Sequence, residues 1–252
     1  MAPLIPLLLS GKNPMIKENR AVHDLIYPEG CNIQFDMKLL DIFEELKKND
    51  KLSVRLENDY FRLKTESGRR PLRTDLFEGS DIPTREYLKK GYIDFLNKIN
   101  ELSEEEKTWI GTDTEGFIRE LEKMLMDKLY KIPTILSFIK EDKILNKVSV
   151  DEIAHNMKEF YKNPLYAFDM QDDGSKNYIN WSIADYKRKA IQMPIKHISG
   201  SSKYFNYDEI NKELILDSSI EKVNTTLLIE HVKDILEYKL KNKCSKLYKV
   251  ID

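Results

Sequence analysis

The chain is poor in the residues that staple a protein or cradle a cofactor. Its 252 residues hold two cysteines, Cys31 and Cys244. A disulfide framework is therefore not expected, and two lone thiols fit a reducing cytoplasm. The glycines form no phosphate loop, because Gly11-Lys12 lacks both the upstream glycine and the following Ser or Thr. The four histidines, His23, His155, His197 and His231, are scattered, and none stands with a second His or Cys at metal-ligand spacing. No cofactor and no metal are expected. There is no long apolar run. Ala2 to Leu9 is short, is interrupted by Pro3 and Pro6, and follows no basic residue, so it reads as neither a membrane span nor a signal peptide. Neither sign of charge dominates: 41 basic and 43 acidic residues give a net charge of -2. That excludes a binder that grips nucleic acid with its whole surface, but it permits local basic patches.

What is present reads as mainly α: a multi-helix bundle with helix-turn-helix-like units and a small late β-hairpin or sheet. Three segments are expected. Residues 1–36, with Pro3, Pro6, Pro14, Pro28, Gly11 and Gly30, form an extended linker. Within it Pro3 to Leu9 is expected to run extended and to pack on the helical body or on a second copy of the chain. Residues 31–36 alternate like a short strand, and Asp36 caps a helix with Leu39, Leu40, Phe43 and Leu46 on one face. Residues 37–100 form a helical subdomain. Residues 101–252 form a second one, with capping boxes at Ser103–Glu106 and Ser149–Glu152. Its expected features include a helix from Asp113 whose core face is Phe117, Leu121, Met124 and Leu125, and a helix with Pro133 at its first position. A hairpin over 204–207 and 213–216 follows, then a final helix capped at Thr225 or Thr226, with Lys239, Lys241 and Lys243 placed to suit its dipole.

The 37–100 segment turns on Gly68-Arg69-Arg70-Pro71-Leu72-Arg73-Thr74. Leu52, Leu56, Tyr60 and Leu63 recur at helical spacing before it. Gly68 suits the left-handed residue that ends a helix, Pro71 biases Arg70 away from helix, and Thr74 suits the cap of a short second helix. Helix, basic turn and short helix make a small helix-turn-helix, with Arg69, Arg70 and Arg73 as candidate phosphate contacts. The plainer reading is a structural turn with solvated arginines.

Local charge separates the segments further. Residues 60–100 hold nine basic and six acidic residues, residues 101–127 three and nine, and residues 176–203 six and one. In the last stretch Trp181 and Tyr186 stand among Lys187, Arg188 and Lys189, the mixture that grips phosphates and stacks bases. Their alternative role is as core anchors beneath a solvated surface. Asp169, Asp172 and Asp173 lack the alternation and terminal Glu of a calcium loop and read as a turn. Glu237-Tyr238-Lys239 lies on a helical pattern, not on the strand that a nuclease of that type uses.

Four series carry a resemblance: Tyr27-Pro28-Glu29-Gly30-Cys31-Asn32-Ile33-Gln34-Phe35-Asp36, Gly68-Arg69-Arg70-Pro71, Phe117-Ile118-Arg119-Glu120-Leu121-Glu122-Lys123-Met124 and Lys128-Leu129-Tyr130-Lys131-Ile132-Pro133. Together they resemble the region that follows the ATPase core in bacterial DEAD/DEAH-box superfamily-2 helicases of restriction or phage-defence type, which often carry a phospholipase-D-like nuclease. No Walker lysine, DEAD/DEAH box or arginine-finger motif is present, so ATP hydrolysis does not carry over. The resemblance implies a non-catalytic C-terminal region, excised or stand-alone. Its expected partners are nucleic acid, with DNA the expected form, and a helicase core in the same or a partner chain. The competing expectation is a protein-interaction or docking module, and a third is an enzyme with a metal or ligand in a cleft.

Overall fold

A computed structural model of the chain describes residues 51–248, except 173 and 224. The expected linker, the strand near Cys31 and the helix from Asp36 lie outside the described residues. The chain divides into two compact units, Met1–Tyr87 and Leu88–Asp252. It is mainly helical, with small strands late in the sequence.

The described part of the first unit is three helices: α1 (Leu52–Ser67), α2 (Arg73–Gly79) and α3 (Thr84–Tyr87). Helix α1 buries Leu56, Tyr60 and Leu63, whereas Leu52 stays exposed. It ends where predicted: Gly68 is left-handed at φ 68°, and its N–H donates to the Lys64 carbonyl at 3.0 Å. The cap of α2 is Leu72, not Thr74. The Asp75 carboxylate accepts the Leu72 N–H at 2.6 Å and so satisfies an orphan donor of the first turn. Asp59 ties the three helices together. Its Oδ2 accepts from Ser80 Oγ at 2.5 Å and from Tyr87 Oη at 2.6 Å, and its Oδ1 pairs with Arg62 at 2.7 Å.

The second unit opens with α4 (Tyr92–Lys98), α5 (Glu104–Lys107), α6 (Asp113–Lys123) and α7 (Lys131–Leu136). Two short strands, β1 (Ile139–Lys140) and β2 (Lys143–Ile144), pair through Glu141 and Asp142, both at positive φ as tight hairpins require. Strand β3 (Lys147–Ser149) leads into α8 (Val150–Phe160). After two 3₁₀ turns, Pro164–Asp169 and Tyr178–Asn180, come α9 (Ile183–Ala190), a π-turn at Ile191–Ile195 and α10 (Lys196–Ser201). Strands β4 (Phe205–Asp208) and β5 (Glu213–Leu216) form the expected hairpin, with Phe205 opposite Leu216, and β3 adds to β5 as a third antiparallel strand. Helices α11 (Ser218–Glu221) and α12 (Thr226–Tyr248) complete the unit.

Both capping boxes of the sequence reading open helices: Ser103 Oγ accepts the Glu106 N–H, and Ser149 Oγ accepts the Glu152 N–H, each at 3.2 Å. Helix α6 stops at Lys123, earlier than its apolar pattern suggested, and Leu125 beyond it is 73% exposed. Pro133 lies inside α7, not at its first position. Helix α12 buries Leu228, Ile229, Val232, Ile235 and Leu236, each worth roughly 1.5–3 kcal/mol when withdrawn from water. Its lysines do more than complement their own helix. Lys239 Nζ donates to the Glu122 and Met124 carbonyls at 2.8 and 2.7 Å, capping the C-terminal end of α6, and Lys243 Nζ donates to the Asp127 carbonyl at 2.7 Å. At the other end of the same helix, His231 reaches Glu106 of α5.

Candidate nucleic-acid interface

The segment after α6 and the segment before and along α9 meet in the second unit, beside the packed pair α8 and α9. Tyr130 and Tyr161 meet edge to face with ring centroids 5.6 Å apart, and Trp181 meets Tyr186 in the same way at 5.2 Å. Tyr130, Tyr161 and Tyr186 are all buried, Tyr130 at 2% exposure, and Trp181 alone of the four rings stays half-buried. The Lys189 ammonium lies 5.2 Å from the Tyr130 ring centroid and 5.9 Å from that of Trp181. The Lys128 ammonium lies 5.7 Å from the same Tyr130 ring. One aromatic ring therefore carries two cations, and a second ring shares one of them.

The titration of this group reflects the crowding. Burial, then the Lys189 charge, hold the Lys128 ammonium below its ordinary range, and Asp169 works against both. Burial lowers Lys189 likewise. Burial pushes the Tyr130 and Tyr186 phenols up to about 12, so both are neutral hydrogen-bonding groups near neutral pH. Asp169 Oδ2 accepts the Leu129 N–H at 2.6 Å, but its Oδ1 is buried with no hydrogen-bond partner among the described residues. Burial accordingly raises the Asp169 carboxyl above the usual carboxylate range. Lys128 also pairs with Asp172 at the rim.

A cavity of about 100 Å³ adjoins this platform and shares Lys128 and Tyr130 with it. Lys131, Met193, Pro194 and His197 complete most of its wall. Pro194 lies inside the π-turn between α9 and α10. A proline has no N–H to give to the helical ladder, and wide turns of this kind recur at functional sites.

Of the residues expected from sequence, Trp181, Tyr186 and Lys189 come together here. Lys187 pairs with Asp151 of α8, and Arg188 pairs with Asp185 at 2.7 Å. Arg69, Arg70 and Arg73 belong to the first unit. The Arg69 guanidinium forks onto Asp75 at 2.7 and 2.9 Å, Arg70 is half-buried, and Arg73 is 0% exposed. The sequence reading missed Lys128, Tyr130, Asp169 and His197 as members of one site. The available signal was Lys128-Leu129-Tyr130-Lys131, a short basic and aromatic mixture like the one at 176–203. Among the described residues no group of three or more His, Cys, Asp or Glu could hold a metal, and no helix is long and apolar enough to cross a membrane. No protein-family model, curated protein or solved structure matches this chain, so its likeness to the helicase-associated regions rests on the residues quoted for it.

Proposed function

We propose that the chain is a non-catalytic accessory module that binds or positions nucleic acid beside a DEAD/DEAH-box helicase core. The bound form is a single strand, DNA in the first instance, laid against the half-buried Trp181 ring and the Lys128 and Lys189 ammoniums that buried Tyr130 carries. The observation that carries this reading is the single Tyr130 ring flanked by Lys128 and Lys189, with Trp181 beside it. Holding two partly desolvated ammonium groups on one ring costs free energy that a phosphate between them would recover. A half-buried Trp181 with a lysine beside it suits a strand of any sequence, because every base has a face to stack. Lys187 and Arg188 would extend the basic track along α9. Arg69 and Arg70 are proposed phosphate contacts in the first unit, with buried Arg73 supporting their turn. The helicase core, in the same or a partner chain, follows from the family resemblance alone.

Fluorescence anisotropy with dye-labelled single-stranded and duplex oligonucleotides tests this at two salt concentrations. Trp181→Ala is expected to weaken single-strand binding by roughly 1–3 kcal/mol with little change in salt dependence. Lys189→Gln is expected to lower the slope of log K against log salt by about 0.7. Equal binding by wild type and both variants, or no binding by any of them, sinks the reading. Tight co-purification with a helicase core and no affinity for oligonucleotides would favour the docking module instead.

A further inference from the structure

The cavity beside the platform has its own chemistry. At about 100 Å³ it is well below the roughly 300–1,000 Å³ of pockets that enclose whole small molecules. Taking about 30 Å³ for each water in the liquid, it has space for about three waters. A base with its sugar does not fit, but a phosphate group does. Its lining includes three residues with nitrogen-bearing side chains, Lys128, Lys131 and His197, and one carboxylate residue, Asp127, while Asp172 outside it pairs with Lys128. Lys131 Nζ donates to the Leu125 carbonyl at 2.9 Å, which leaves an ammonium two further donors. Met193 and Pro194 close the apolar side.

Which phosphate fits follows from counting. A phosphodiester within a strand offers two non-bridging oxygens and one charge, and its chain must leave in two directions. A phosphomonoester offers three terminal oxygens and a charge of about -1.5 to -2, and its chain leaves in one. We propose that the Lys128–Lys131–His197 cavity takes the terminal phosphomonoester of the strand lying on the platform. Because Lys128 lines the cavity and also lies against Tyr130, a phosphate seated in the cavity shares a cation with the lysine–aromatic group. This rests on the strand-binding reading above and adds preference for a phosphorylated end.

The test uses the full 252-residue chain and a short dye-labelled thymidine oligonucleotide with a 5′-phosphate, a 3′-phosphate or neither. One phosphorylated end is expected to bind about tenfold more tightly than the unphosphorylated strand, the gain from one or two charge-assisted hydrogen bonds. Lys131→Gln and, separately, His197→Asn are expected to reduce that preference while each still binds the unphosphorylated strand. Inorganic phosphate in excess is expected to compete away the preference only. Equal affinity for all three strands overturns the phosphate cavity and leaves the strand-binding reading standing. A preference that survives in both variants overturns the assignment to this cavity. No binding of any strand overturns both.

Discussion

Glu106 and His231 form a buried pair that joins the four-residue helix α5 to the long helix α12. Glu106 Oε1 meets His231 Nε2 at 2.7 Å, with side-chain exposures of 0% and 4%. The second Glu106 oxygen accepts the Ser103 N–H at 2.8 Å, so one carboxylate both closes the cap of α5 and holds α12. Trp109 meets the imidazole edge-on at 5.7 Å. Removing one member of a buried pair leaves the other uncompensated, which costs about 3–5 kcal/mol. His231→Leu is therefore expected to lower the unfolding free energy from urea titration by that much, and Glu106→Leu/His231→Leu to be less destabilised than the sum of the two single variants. Strict additivity would show that the pair is not coupled.

In the first unit the Arg69–Asp75 fork separates a turn-forming role from a binding role. Arg69 is half-exposed, and an exposed ion pair contributes at most about 1 kcal/mol. Asp75 also accepts the Leu72 N–H, a capping contact whose loss costs roughly 0.5–2 kcal/mol. Asp75→Ala should thus destabilise more than Arg69→Ala, by chemical denaturation of each. A larger loss in Arg69→Ala would assign that guanidinium chiefly to structure and weaken its case as a phosphate contact.

Asp169 is expected to trade stability for electrostatics. Its carboxyl titrates above the usual carboxylate value because burial disfavours the charged form. The folded chain therefore binds this proton more readily than the unfolded chain. Stability contributed by the group rises as pH falls through the raised value and is lost as pH climbs back. Asp169→Asn can still accept the Leu129 N–H and carries no charge. Its thermal midpoint should exceed that of wild type near pH 7, and the gap should shrink as the medium is acidified through Asp169's range. A gap independent of pH would mean that the carboxylate is not the source of the penalty.

Gly116 lies inside α6, where alanine would favour the helix by roughly 1 kcal/mol. A Cβ built there would stand 2.2 Å from Tyr204 Oη. Tyr204 is buried and packs edge-on against Phe117 at 5.5 Å, so it cannot swing away cheaply. Overpacking of this kind costs typically 1–3 kcal/mol. Gly116→Ala is expected to be destabilising, and Gly116→Ala/Tyr204→Phe to recover part of the loss. A stabilised Gly116→Ala would mean that the ring yields freely.

Local rules made much of the fold legible. Gly68 ended its helix, Ser103 and Ser149 opened theirs, and the late hairpin lay where aromatic and aliphatic runs flanked a polar turn. Strand β3 escaped because three residues are too few for an alternation, and the partner that makes them a strand lies on β5, more than sixty residues away. The lysine–aromatic group was half visible. Trp181, Tyr186 and Lys189 are close in sequence and announce themselves. Lys128 and Tyr130 are placed beside them by tertiary packing that no local pattern encodes. Arg73 shows the converse: its spacing marks a basic turn, but whether a guanidinium faces water depends on what covers it.

The π-turn at Ile191–Ile195 has an evolutionary consequence. One extra residue in a turn advances everything after it by about 100° around the helix axis. The lining residues Met193, Pro194 and His197 meet the cavity in the phase set by that surplus residue. Deleting one residue within 191–195 would restore a regular helix at little cost in helical hydrogen bonding, yet it would turn His197 onto a different face. The proposed phosphate cavity therefore constrains length in this segment more tightly than identity. Among descendants of this sequence, substitutions should accumulate here long before a deletion does.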